Sequence, residues 1–98
     1  MNNMNFFVYL ICAQKKDNSF VTYVGYTNNL QKRLKAHNSS KGAKFTRGKK
    51  WKLIYKKKFI FKKDAMKYEY MLKKNRRDRI LLRDKFLKNE AIKNNTHN

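Results

Sequence analysis

The chain has 98 residues, room for one compact domain with a single hydrophobic core and no second module. Lys and Arg number 26 against 6 Asp and Glu, and the resulting formal charge of +20 exceeds what solubility requires and calls for a polyanionic partner. No run of about 18 apolar residues is present to span a bilayer, and the bases are spread along the whole chain rather than gathered in one flank, so nucleic acid is expected over a membrane surface.

Residues 1–5 are polar and read as a disordered start without the basic and apolar regions of a secretion signal. That predicts an intracellular protein, cytoplasmic in a bacterium, or in the host cytoplasm or nucleus for a virus. Phe6-Phe7-Val8-Tyr9-Leu10-Ile11-Cys12-Ala13 is rich in β-branched and aromatic residues and too short for an apolar helix, so it reads as a strand. The lone Cys12 within it reads as core. Lys15-Lys16-Asp17-Asn18-Ser19 is a turn, and Phe20-Val21-Thr22-Tyr23-Val24-Gly25-Tyr26 is a second strand closing an antiparallel hairpin. Gly25 marks a bulge or a close backbone approach.

Thr27 or Asn28 caps a helix expected over about 28 to 39, with Leu30, Leu34 and His37 on one face. A basic loop carrying Lys41, Lys44, Thr46, Arg47 and Lys49 follows, then Leu53-Ile54-Tyr55 and Phe59-Ile60-Phe61 as a third strand or two short ones. From Asp64, a suitable N-cap, a helix turns Ala65, Met66, Glu69 and Leu72 to one face. A last helix over about 77 to 91 packs Ile80, Leu81, Leu87 and Ala91 while Arg76, Arg79 and Arg83 line another face, and residues 93–98 form a disordered tail. The fold class is α+β: a small, mostly antiparallel three-stranded sheet flanked by helices. Residues 6–75 make the main domain, and 76–92 form a basic C-terminal helix packed on it.

Hydrolysis of a phosphodiester needs an activated water, a centre that stabilises charge developing on phosphate, and help for the leaving oxygen. Of the acids, Asp17, Asp64, Asp78, Asp84 and Glu90 have structural or surface explanations, and Glu69 alone is set into an apolar stripe. Without a cluster of carboxylates, one metal ion held by Glu69, waters and substrate oxygens is the economical reading. Arg33 and His37, at i and i+4, emerge side by side and can face one phosphate. Tyr9 and Tyr23 lie on paired strands, where a nearby cation can lower a phenol's pKa. Taken singly, each has a plainer reading: Arg33 a solvated charge, His37 a core-edge histidine, the tyrosines packing, Glu69 an acid paired with a base.

Phe7-Val8-Tyr9 followed after a loop by Tyr23-Val24-Gly25 resembles the two elements that name the GIY-YIG nuclease superfamily. The stretch from Gly25 to His37 resembles that family's signature helix, with Arg33 at its catalytic arginine and His37 at a histidine found in many members. Lys41-Gly42-Ala43-Lys44-Phe45-Thr46-Arg47-Gly48 is similar to a loop of the small stand-alone YhbQ-like (UPF0213) branch, and Ala65-Met66-Lys67-Tyr68-Glu69-Tyr70 to the helix carrying the metal-binding glutamate. Phe7 stands where the first element has glycine. The asparagine of larger members has no assigned counterpart, Asn75 and Asn89 both being open.

The resemblance implies a metal-dependent DNA endonuclease, structure-directed or weakly sequence-specific, of a kind used in DNA repair. Tyr9, Tyr23, Arg33, His37 and Glu69 are its expected catalytic residues, with one Mg²⁺ or Mn²⁺ on Glu69. Lys41, Lys44, Thr46, Arg47, Lys49, Arg76, Arg77, Arg79 and Arg83 are the expected nucleic-acid contacts. DNA is favoured over RNA, a monomer is expected, and no membrane or small-molecule cofactor is implied. The alternatives are a non-catalytic basic binder that keeps the fold, and a ribosome- or RNA-associated basic protein.

Overall fold

In the computed structural model, which describes residues 5–95, three strands and three α-helices follow in the order β1 (Phe6–Gln14), β2 (Phe20–Thr27), α1 (Leu30–Asn38), β3 (Lys52–Phe59), α2 (Lys62–Lys74) and α3 (Arg76–Asn95). Residues 1–4 and 96–98, expected to belong to the disordered ends, lie outside the described residues. The sheet order is β2-β1-β3 with both pairings antiparallel, so the most apolar strand lies at the centre. The α+β class with a three-stranded antiparallel sheet is as the sequence predicts.

Because side chains alternate along a strand, β1 feeds two cores. Val8 and Leu10 point to one face, where Val24, Ala65 and Leu72 join them and Tyr68 of α2 and Leu82 of α3 pack alongside. Tyr9, Ile11 and Ala13 point to the other, with Trp51, Tyr23 of β2, and Leu30 and Leu34 of α1. With α2 and α3 packed on one face and α1 on the other, a single sheet makes a three-layer arrangement.

The hairpin turn holds where the sequence puts it, while several other local expectations shift. The hairpin turn forms at 15–19, with Ser19 donating both its backbone N–H and its hydroxyl to the Asp17 carboxylate; these bonds hold that carboxyl below its ordinary pKa. Gly25 marks a close approach and not a bulge; the irregularity falls instead between Leu10 and Ile11 in the pairing with β3. Asn29, not Thr27 or Asn28, caps α1, its side chain accepting from the Lys32 N–H, while Thr27 hydrogen-bonds around Asn29 just outside the helix.

The third strand is one continuous element ending at Phe59, and Ile60 and Phe61 are exposed beyond it. Helix α2 is capped three residues early, at Phe61, and starts at Lys62, leaving Asp64 in its first turn, where a negative charge suits the positive end of the helix dipole, and not as the cap. Met66, Leu81 and Ala91, expected to pack, are exposed, and Leu82 takes the inward place in α3. That helix continues through Asn95, into the stretch expected to be tail.

Candidate active site

The site grows from the face of the sheet that α1 covers. On β1, Tyr9 stands opposite Gly25 of β2, and Tyr23 stands opposite Ile11, one pleat along the same face. A Cβ on Gly25 would lie 2.3 Å from the Tyr9 hydroxyl oxygen, so the missing side chain is what lets the phenol lie across β2 towards α1. A bulkier residue there would push the ring off its course.

Helix α1 meets the phenol with two residues one turn apart. Tyr9 OH is 2.7 Å from His37 Nε2, and Arg33 Nε donates to the same phenol oxygen at a longer 3.4 Å. The second imidazole nitrogen, Nδ1, lies 2.9 Å from Thr46 Oγ1, and the Thr46 hydroxyl donates its proton to Ala43 C=O at 2.8 Å. These bonds fix the proton positions. With its hydrogen committed to Ala43, Thr46 can only accept from His37, so Nδ1 carries the imidazole hydrogen and Nε2 keeps a lone pair. Tyr9 must then donate to Nε2, and its oxygen lone pair is free for Arg33.

Burial reinforces the arrangement. His37 and Thr46 are 0% exposed and Tyr9 2%. Burial, helped by the Arg33 charge, pushes the His37 pKa down, so its ring is neutral and able to accept at neutral pH. Burial raises the Tyr9 pKa, against the lowering influence of Arg33, so the phenol holds its proton until a base takes it. The hydrogen bond to Tyr9 is the main cause that raises the Arg33 pKa and keeps the guanidinium charged. Gly42 supports the imidazole from the loop: a Cβ there would lie 2.4 Å from His37 Nδ1.

Tyr23 packs edge-on to His37 at 5.2 Å between ring centroids, and Phe45 stacks on Tyr23 at 6.2 Å. Tyr9, Tyr23, Arg33 and His37 therefore sit together. Glu69 comes from α2, on the helix face it shares with Ala65 and Leu72. Its side chain is 18% exposed and pairs with Lys73 at 3.6 Å, and its charge acts on Tyr9, the weakest of the influences on that phenol. No group of three or more His, Cys, Asp or Glu able to hold a metal gathers among the described residues. One partly exposed carboxylate suits Mg²⁺ or Mn²⁺, which keep several waters and borrow substrate oxygens, and does not suit a zinc-type cage.

The expected nucleic-acid contacts separate. Lys41, Lys44 and Arg47 are exposed on the loop beside α1, and Lys49 lies over the Phe45 ring while donating to Phe45 C=O. Thr46 is a correction: it is buried, tied to His37 and Ala43, and presents nothing to a phosphate. Arg76 and Arg77 are exposed on α3, but Arg79 caps the α2 carbonyls of Leu72 and Lys73, and Arg83 pairs with Asp84 at 3.0 Å. Helix α3 packs through Leu82 on the sheet face away from Tyr9. Sequence reasoning also passed over Lys56, which the register sets directly opposite Tyr9 on β3; strand alternation around Tyr55 was the signal that could have found it.

Fold and site together define a domain of the GIY-YIG nuclease superfamily: the family profile described as the GIY-YIG catalytic domain matches residues 5–81. A UPF0213 protein of Bacillus velezensis is 49% identical over 72 residues, covering 72% of this chain and 68% of its own. The UPF0213 protein YazA of Bacillus subtilis is 39% identical over 95 residues, covering 94% of this chain and 92% of its own. The solution NMR structure of a UPF0213 protein from Bacillus halodurans, 40% identical, covers 83% of this chain and 84% of its own with a TM-score of 0.46. The chain belongs to the GIY-YIG family, in its UPF0213 branch. Among the described residues, no helix is long and apolar enough to cross a membrane.

Proposed function

We propose that this protein is a metal-dependent endonuclease that hydrolyses phosphodiester bonds of DNA, with structure-directed or weakly sequence-specific choice of site. The observation that carries the reading is the directed chain of hydrogen bonds from Arg33 through Tyr9 and His37 to Thr46. A packing tyrosine needs no such chain, whereas a phenol that must give up its proton does.

Tyr9 serves as the base for the attacking water. As the phenol oxygen takes the water's proton, its own proton moves to His37 Nε2 in the same step, so no separate phenolate has to form against the burial that disfavours it. The Arg33 guanidinium stabilises negative charge developing on the phenol oxygen. The water oxygen forms a bond to phosphorus as the bond from phosphorus to the 3′ oxygen breaks. The departing oxygen takes a proton from solvent water to give the 3′-hydroxyl beside the 5′-phosphate, and Tyr9 then releases the water's proton to solvent and takes its own back from His37. Tyr23, held edge-on to His37, orients water and phosphate. A divalent ion held by Glu69, Mg²⁺ or Mn²⁺, supplies positive charge at the leaving oxygen when bound.

The test is cleavage of labelled duplex, flap, branched and single-stranded DNA in Mg²⁺ or Mn²⁺, with EDTA as control. Tyr9→Phe keeps the ring and removes the transferable proton, and its rate is expected to fall by about 10²- to 10⁴-fold. Metal-dependent cutting by purified Tyr9→Phe at the wild-type rate would overturn the mechanism. No cutting of any substrate by the wild type would leave a basic nucleic-acid binder.

A further inference from the structure

Beyond Tyr9, the α1 face of the sheet continues for one more row that belongs to neither core cluster. Along β1 the next side chain on this face is Phe7, half-buried, and the register pairs it with Lys58 of β3 and Thr27 of β2. Lys56, opposite Tyr9, is on the same face, since it alternates with Tyr55 and Lys57; Lys57 reaches over the Tyr68 ring on the other side. Lys56 and Lys58 are exposed. Side chains opposite one another on paired strands have Cβ atoms about 5 Å apart, so these two lysines run alongside the Tyr9–Phe7 line on its β3 side.

We propose that Phe7, Lys56 and Lys58 form a nucleotide subsite that holds the strand next to the scissile phosphate. The site's Tyr9 and Arg33 form one end of this row, and Lys56 and Lys58 take the phosphates on either side. Phe7 offers its ring to an unpaired base. This rests on the reading of Tyr9 as the catalytic centre for its direction along the strand, and charge points to the occupant: two exposed cations with no ion pair among the described residues, beside a half-buried aromatic ring on a chain of net charge +20, suit a polyanion whose bases have π-faces. Stacking requires a base out of its duplex, so the subsite favours single-stranded segments, whether DNA or RNA.

The measurement is fluorescence anisotropy, in EDTA so that nothing is cut, with single-stranded DNA, single-stranded RNA and duplex DNA oligonucleotides of the same sequence over a range of salt. Lys56→Ala/Lys58→Ala is expected to reduce the slope of log affinity against log salt by about 1.4 on single strands, from two lost phosphate contacts. Lys57→Ala, on the other face, is expected to leave the slope unchanged. Phe7→Leu is expected to weaken single-strand binding on the order of 10-fold and leave duplex binding alone. A loss on either DNA or RNA strands supports the subsite. An unchanged slope in the double variant overturns it, as does an equal loss on duplex and single strands in Phe7→Leu. Both lysines are exposed, so the double variant keeps the test valid should Phe7→Leu fold poorly. If the binding pattern holds but the wild type never cuts, the subsite stands and the proposed function falls; if Tyr9→Phe abolishes cutting while the slope does not move, the reverse is true.

Discussion

Gly25 and the Tyr9 phenol compete for one volume: the two residues are paired across β1 and β2, and a Cβ on the glycine would fall 2.3 Å from the hydroxyl oxygen and 2.5 Å from the adjoining ring carbon. The glycine therefore sets the direction of a side chain on the neighbouring strand, and its own backbone angles give no other reason for it, since only Gly48 has a positive φ among the described glycines.

Gly25→Ala is expected to destabilise the fold by about 1–3 kcal/mol, the range for forcing an extra methyl into a packed site. It is also expected to move the Tyr9 hydroxyl away from His37. Thermal unfolding and cleavage assays read the two effects separately; wild-type cutting by a stably folded Gly25→Ala would contradict the need for this close fit.

Gly42→Ala places the same strain on the other partner, its Cβ 2.4 Å from His37 Nδ1 and 3.0 Å from the His37 Cα. Because Gly42 lies in a loop that can give way, a smaller loss of stability than for Gly25→Ala is expected, with a clear loss of rate. Equal melting temperatures for the two variants would argue against the difference.

Thr46→Val keeps the volume and removes both the acceptor for His37 Nδ1 and the donor to Ala43 C=O. Leaving buried polar groups unpaired is expected to cost about 1–3 kcal/mol. With the tautomer released, cleavage is expected to slow by about 10- to 100-fold, as loss of imidazole-orienting partners does elsewhere. Its pH-rate profile should also shift, whereas Thr46→Ser, which retains the hydroxyl, should restore the wild-type profile. A profile identical to wild type in Thr46→Val would reduce Thr46 to packing.

Stability should depend on pH through His37. Its folded pKa is depressed by burial, so between that value and the unfolded value of about 6.5 the unfolded chain binds the proton that the folded chain refuses. Stability from this group is full above about pH 6.5 and declines as pH falls towards the folded pKa. Denaturant midpoints measured across that range should drop for the wild type and drop less for His37→Gln; equal slopes would show that His37 is not the titrating group.

Glu69→Gln should abolish metal-dependent cutting and hardly alter the melting temperature. Its ion pair with a half-exposed Lys73 is worth about 0–1 kcal/mol, so little stability is at stake. Cleavage rate against Mg²⁺ concentration, set beside thermal melts, checks both halves, and undiminished cutting at saturating Mg²⁺ would remove Glu69 from the metal.

The strands, the hairpin and the helical stripes of α1 and α2 were legible in the sequence because each is a local pattern: alternation and β-branched content for β1 and β2, and the Leu30, Leu34, His37 spacing for α1. The candidate residues were legible through their order, Tyr9, Tyr23, Arg33, His37 and Glu69. What periodicity could not supply was the contact between distant side chains. Thr46 read as a polar loop residue because nothing local shows that its hydroxyl is spent on Ala43 and its lone pair on His37. Strand alternation could separate Lys56 from Lys57 by face, but only the pairing with β1 places Lys56 opposite Tyr9. The sequence by itself determined which chemical groups exist and which short segments bury them, since those follow from residue type and from periods of two and of 3.6. The tertiary structure alone decided which way each proton points, because hydrogen-bond direction at Tyr9 and His37 depends on partners 9 and 28 residues away in the chain.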